Sequence, residues 1–356
     1  MDNSDPLHIL NFPPISLPVL PCHLGPPISH LIPADSKASP DDLRDMTSEM
    51  VTALVAISPR FVATGDADSC LHIRQFDIDA AKLGGFGRSH TLEIQGLDKP
   101  KFPLYKPTSS VSLGKCSHSP VSSLCAAGNN ILATSGSSAS LWDVVSRSRV
   151  RHFATTDVAN CADFVTPNLV AVAGNACELS LFDVRSHHSS PILSKKVALD
   201  NLYGLVVDGS VVYCGGADGD IHKVDLRNQK KETWQLWRKD AILDLKMAYG
   251  STSGVVASTE SGRVCCVDSY ESDYKFSFDT GESFSHRIKC DVVSTSKGVD
   301  VACGGENGVV YVFQYDGKHE LRTDITIGEG LVASVCWSGD DLFASTGSDV
   351  VFVDLE

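Results

Sequence analysis

Apolar residues in this chain fall in short runs broken by Gly, Pro, Asn, Asp and Ser, the pattern of many short strands joined by tight turns. Residues 51–57, 61–64 and 71–76 predict three strands in quick succession. The same triplet returns at 121–124, 131–136 and 140–143, and continues to the end of the chain. Two marks accompany it. The first is a run of small residues: Ala63-Thr64-Gly65, Ala133-Thr134-Ser135-Gly136, Ala171-Val172-Ala173-Gly174, Cys214-Gly215-Gly216, Ala257-Ser258-Thr259, Cys303-Gly304-Gly305 and Ala344-Ser345-Thr346-Gly347. The second is a pair, usually apolar then acidic: Phe76-Asp77, Trp142-Asp143, Phe182-Asp183, Val224-Asp225, Val267-Asp268, Phe313-Gln314 and Val353-Asp354. Steps between the second members are 66, 40, 42, 43, 46 and 40 residues. A period of about 40–45 residues is that of a propeller whose blades are four-stranded sheets.

With Trp142-Asp143 as its cleanest copy, the chain resembles the WD-repeat β-propeller family over residues 46–356. The resemblance implies an all-β, seven-bladed β-propeller of four-stranded antiparallel blades, its last blade closed by an N-terminal strand. It also implies that His118, Ser135 and Trp142 of the second unit form a hydrogen-bonded set, with Asp143 ending the third strand. The turn Asp that completes such a set in the family is replaced here by Ser137-Ser138-Ala139. Later blades are expected at 158–194, 202–236, 242–278, 288–322 and 332–355.

The final triplet is followed here by Asp354-Leu355-Glu356, and its fourth strand is expected to come from elsewhere in the chain. An open ring would leave backbone groups unpaired at its edge. Residues 1–45 form a partly extended N-terminal segment expected to supply that strand, through 7–12 in preference to 15–20, where Pro18 removes a ladder donor. Blade one is expected to end with an outer strand at 90–95. The long first step then holds an insertion at 96–117, where Pro100, Pro103 and Pro107 favour an extended, polyproline-like course.

Composition narrows the function classes. Hydrophobic content of 42% and charged content of 21% fit a folded, globular chain. Acidic residues outnumber basic ones 44 to 30, giving a net charge of −14, which disfavours direct binding to nucleic acid or anionic membranes. The start, Met1-Asp2-Asn3-Ser4-Asp5, lacks the basic character of a secretory signal, and no apolar run approaches a membrane span. The expectation is a soluble protein of cytoplasm and/or nucleus. Most of the 12 cysteines sit within strand patterns, as reduced core residues do.

No motif assembles a catalytic site, a cofactor site or a metal site. The glycine cluster at 84–87 is not followed by the Gly-Lys-Ser/Thr of a phosphate loop. Gly250-Ser251-Thr252-Ser253-Gly254 has Thr252 at its centre and lies in a polar turn between strands, not at the strand-to-helix junction of a nucleophile elbow. His187-His188 and the pair His286 and Cys290 lack further ligands at suitable spacing. The Phe-Arg-Arg-Gly motif of phosphoinositide-binding propellers is absent.

The expected function is therefore that of a non-enzymatic scaffold or adaptor binding other proteins of a larger complex. Three surfaces are candidates. Loops leading into the first strands hold Glu49, Asp157, Asn201, Asp240, Arg287 and Glu329, a mostly acidic set that would favour a partner with a basic surface. Asp183-Val184-Arg185 and Asp225-Leu226-Arg227 resemble the Asp-x-Arg box of WD-repeat substrate receptors of cullin-RING ubiquitin ligases. Phe182 and Val224 depart from that box, where Trp or Tyr is usual. The third candidate groups Trp234, Trp237 and Arg238, residue types common among interface anchors. A propeller hydrolase is the alternative from another class, and would need a polar channel ready for a metal.

Overall fold

A computed structural model of the chain describes residues 50–78, 102–236, 238–250, 253–270, 272–296 and 298–355. Every regular element among them is a β-strand, and the strands form seven four-stranded antiparallel sheets. Blade one contains Val51–Ser58, Phe61–Asp66, Cys70–Gln75 and Ser109–Lys115. Blade two contains Val121–Ala127, Asn130–Ser135, Ser138–Asp143 and Ser148–Ala154. Blades three to six occupy 159–196, 202–235, 242–279 and 290–326. Blade seven contains Val335–Ser338, Asp341–Thr346 and Asp349–Val353, with Leu104–Tyr105 as its outer strand.

The burial pattern follows from each sheet lying between two others. Second strands are closed on both faces, as in Phe61–Asp66 and Gly254–Thr259, where every residue is buried. Outer strands bury one face and alternate, as Ser148–Ala154 does around Phe153. There is accordingly no single core. Seven hydrophobic clusters each fill one joint between neighbouring blades, from blades one and two around to blades seven and one. Aromatic pairs bridge several joints: Phe153 with Phe182 at 5.2 Å, Phe278 with Phe313 at 4.6 Å and Phe76 with Phe343 at 4.9 Å between ring centroids.

The small-residue runs have a steric cause. A Cβ placed on Gly174 would collide with the backbone carbonyl of Val158, and one on Gly216 with that of Asn201. Each glycine ends a second strand where the chain leading into its own blade crosses it, and only a residue without a side chain admits that crossing.

Polar side chains fasten the first strands to their neighbours around the channel. Thr52 Oγ1 donates to Val121 O (2.6 Å) and Asn160 Nδ2 to Leu202 O (2.8 Å). Val207 N donates to Asp163 Oδ2 (3.0 Å), Trp337 N to Asp291 Oδ2 (2.8 Å) and Leu54 N to Ser334 Oγ (3.1 Å).

Ring closure differs in detail from expectation. The seventh sheet is completed by a strand that precedes it in sequence, but from within the 96–117 insertion: Leu104 pairs with Val353 and Tyr105 with Phe352. Segments 7–12 and 15–20, and all of 1–45, lie outside the described residues. The outer strand of blade one is Ser109–Lys115, hydrogen-bonded to Cys70–Gln75, in the position expected of 90–95; residues 90–95 themselves also lie outside the described residues. The insertion thus contributes to two neighbouring sheets, where an extended excursion alone was expected. Sheet edges explain this: blade seven and blade one each need a fourth strand, and one segment passing between them provides both.

Candidate partner-binding surfaces

In blades two to six, antiparallel order places the third-to-fourth-strand turns on the same face as the first-to-second-strand turns, here called the lower face. The loops leading into the first strands open on the opposite, upper face. Lower-face turns share one construction. At the end of a third strand an Asp carboxylate accepts the backbone N–H two residues on: Val145 to Asp143 (2.9 Å), Arg185 to Asp183 (2.9 Å), Arg227 to Asp225 (2.9 Å), Tyr270 to Asp268 (2.7 Å) and Lys318 to Asp316 (2.8 Å). This Asx turn replaces a strand ladder with a side-chain acceptor. In blades two to four the residue between turns inward: Val144 is buried, and Val184 and Leu226 pack on the clusters of their joints. The residue two beyond the Asp is exposed in all five blades.

Blade six corrects the repeat as read from sequence. Gln314 lies within a third strand, Val309–Tyr315, that runs past it, and Asp316 makes the cap in its place. His319 N and Nδ1 also bond Asp316, and these hydrogen bonds hold its carboxyl down to about 2.

Arg185 and Arg227 are the exposed residues of blades three and four, with side chains 71% and 66% accessible. Each returns to its own Asp through two donors: Arg185 Nε and Nη2 at 3.0 and 2.9 Å, Arg227 Nε and Nη2 at 3.1 and 3.0 Å. The guanidinium beside each carboxylate holds Asp183 and Asp225 below the usual carboxylate range. The bidentate pairs use one edge of each planar fork, and a guanidinium carries five donors.

The aromatic candidate is altered by the structure. Trp234 is buried within blade four, its ring 5.6 Å from that of Tyr213 with Lys223 Nζ 5.0 Å above it, so it is a packing residue and not an exposed anchor. Its position on the inward face of the outer strand Lys230–Gln235 decides this. Trp237 lies outside the described residues, and Arg238 is exposed.

On the upper face, Asp157 is exposed and Asp240 accepts from Ser261 Oγ (2.6 Å). Arg287 is engaged across the mouth of the channel. Its Nη1 donates to Asn160 Oδ1 of blade three (2.8 Å), and its guanidinium lies 4.1 Å from the Tyr203 ring of blade four. Below it, Lys289 of blade six donates to the carbonyl of Ser122 in blade two. Two cationic struts therefore cross the channel. Around them stand Asp163, Asp244, Lys246 and Asp291, with Lys246 3.9 Å from Asp291. Burial pushes the Asp163 carboxyl up to about 6 and draws Lys289 down to about 8. Among the described residues no group of three or more His, Cys, Asp or Glu is arranged to hold a metal ion.

The hydrogen-bonded set expected in blade two is not formed. His118 is exposed, the buried Trp142 N–H lacks a hydrogen-bond partner although the Cys116 thiol lies beside it, and Ser135 Oγ instead joins Ser69 (2.9 Å), Ser117 (2.6 Å) and the carbonyl of Ser119. Ser117 takes the inward place, one residue before the expected His. Asp143 does end the third strand and caps its turn.

No protein-family model matches the sequence, and no curated protein matches it. Solved structures do share its architecture. The computationally designed protein Ika8 is similar with a TM-score of 0.59 at 15% identity, over 86% of this chain and 96% of that one. At that identity the likeness speaks for the fold alone. The class defined by fold and comparison together is the seven-bladed β-propeller.

Proposed function

We propose that the chain is a diverged WD-repeat propeller acting as a non-enzymatic scaffold or adaptor in a multiprotein complex of cytoplasm and/or nucleus. The observation that carries this reading is the lower-face construction: five Asp-capped turns on a closed ring of sheets hold five side chains outward at fixed positions. Rigid elements presenting variable side chains suit recognition of other proteins. The channel, bridged by Arg287 and Lys289, favours a structural use of the ring over a hydrolytic one. The eleven described cysteines are all free, which fits a reducing compartment. The acidic loops of the upper face would suit a second partner with a basic surface.

The test is purification of the tagged full chain from cells of its source at mild salt. A stoichiometric set of co-purifying proteins is the expected result, and recovery of the chain alone would reject the scaffold reading. A second reading, a substrate receptor of a cullin-RING ligase, is favoured by the matched exposure of Arg185 and Arg227 on adjacent blades. Under it, replacing both arginines with alanine abolishes recovery of the ligase adaptor while the fold persists.

A further inference from the structure

We propose that the lower face across blades three, four and five binds an acidic segment of a partner protein that also carries an apolar or aromatic side chain. This rests on the scaffold reading and names the face and the kind of partner. Three observations converge on it. The first is where apolar surface is left open. Of the large hydrophobic side chains exposed among the described residues, Val145, Ile192, Tyr249, Tyr270, Tyr274 and Leu321 lie in lower-face turns or at the strand positions beside them. Only Leu199 lies in an upper-face loop, while Val150 lies within an outer strand. Tyr270 is 84% exposed at the tip of its capped turn. An exposed tyrosine whose backbone N–H is held by the Asp268 carboxylate is an interface anchor of low entropic cost.

The second observation is charge. The chain has an excess of acids, yet the side chains presented by blades three and four are Arg185 and Arg227, with Lys230, paired to Glu232, and Lys231 opening the adjoining outer strand. The carboxylates nearest them, Asp183 and Asp225, cap their own turns and each pairs with one edge of that blade's guanidinium. Blade five limits the positive stretch, because Asp273 is exposed beside Tyr270.

The third is preorganisation. Each arginine is fixed by two hydrogen bonds on one edge of its fork, so the other edge meets an incoming carboxylate without first being immobilised. A nucleic acid fits less well: carboxylates are interleaved with the cations, and Val145 and Ile192 flank them.

Binding is measured by fluorescence anisotropy with the full chain and a labelled random copolymer of glutamate and tyrosine. The expected result is salt-sensitive binding that Arg185→Ala/Arg227→Ala weakens about tenfold and Tyr270→Ala several-fold, as for loss of interface anchors. Arg185→Lys/Arg227→Lys should retain part of it. Asp157→Asn and Leu199→Ala on the upper face should change nothing. All these side chains are exposed, and circular dichroism melts verify that each variant folds. The proposal is overturned by absence of binding, by equal binding to the double-alanine variant, by equal loss in the upper-face variants, or by tighter binding to polyuridylic acid than to the copolymer. Co-purification with the double-alanine variant separates the two ideas. Partners retained at full stoichiometry would overturn this surface and keep the scaffold; no partners with either form would reject the scaffold.

Discussion

A single atom decides the sequence at Gly174. Its added Cβ would sit inside the carbonyl of Val158, a backbone group unable to rotate away. Gly174→Ala should therefore lower stability by about 1–3 kcal/mol, the usual cost of overpacking. Urea denaturation with an unchanged midpoint would contradict the crossing as its cause. Asp163 makes a second residue-scale case. Desolvation raises its folded carboxyl to about 6 from an ordinary 3.8, against the hydrogen bonds from Val207 and Phe164 and the pull of Lys246. Between those values the folded state binds more proton than the unfolded one. This contribution is complete below the unfolded value and disappears as pH rises through the folded one. Asp163→Asn keeps an acceptor oxygen for Val207 and should flatten the dependence of unfolding free energy on pH from about 4 to about 6. A slope equal to that of the wild type would exclude Asp163 as its source.

Among elements, the two-residue strand Leu104–Tyr105 carries more than its length implies. Leu104 is fully buried against Val351, Val353 and Trp337, and Tyr105 stacks on Phe352 at 5.9 Å. Leu104→Ala should cost about 2–5 kcal/mol, as large-to-small changes in packed cores do, and chemical denaturation measures it. A loss well below 1 kcal/mol would mean that the seventh sheet holds without this strand. The second and third strands of all seven blades were legible because apolar runs and small-residue marks recur with them. This strand was not, because two residues cannot show alternation. Nor was Ser109–Lys115, which buries only Leu113 and reads as polar. The lower-face site was legible at Asp183, Arg185, Asp225 and Arg227, where motif and turn coincide. Tyr270 and Val145 were missed although they occupy the same place two residues after a strand-end Asp. That shared offset was the available signal, and the Asp-x-Arg resemblance drew attention to arginine alone. Burial of Trp234 was settled by its side of the strand, which depends on register.

At the scale of the whole ring, the channel struts join blades far apart in sequence. Lys289 reaches from blade six to Ser122 of blade two, and Asp244 of blade five is among the charges that sustain it. Asp244 is buried, and its Oδ2 has no hydrogen-bond partner in the structure. Lys246 and then Lys289 are the cations that offset its burial, so removing Lys289 alone leaves the carboxylate under-compensated, a costly state in a poorly solvated interior. Lys289→Met should destabilise the protein, and Asp244→Asn/Lys289→Met should recover much of the loss, because the second change removes the stranded charge. The interaction energy of this double-mutant cycle belongs to the pair. Lysine also gives the cycle a pH signature. Its folded value of about 8 lies below the ordinary 10.5, chiefly through desolvation, so the unfolded state binds more proton between them and stability rises with pH across that window. Lys289→Met should abolish that rise. Additive single-mutant losses, together with an unchanged slope above pH 8, would show that the two charges do not act together and that the ring is held by its seven apolar joints alone.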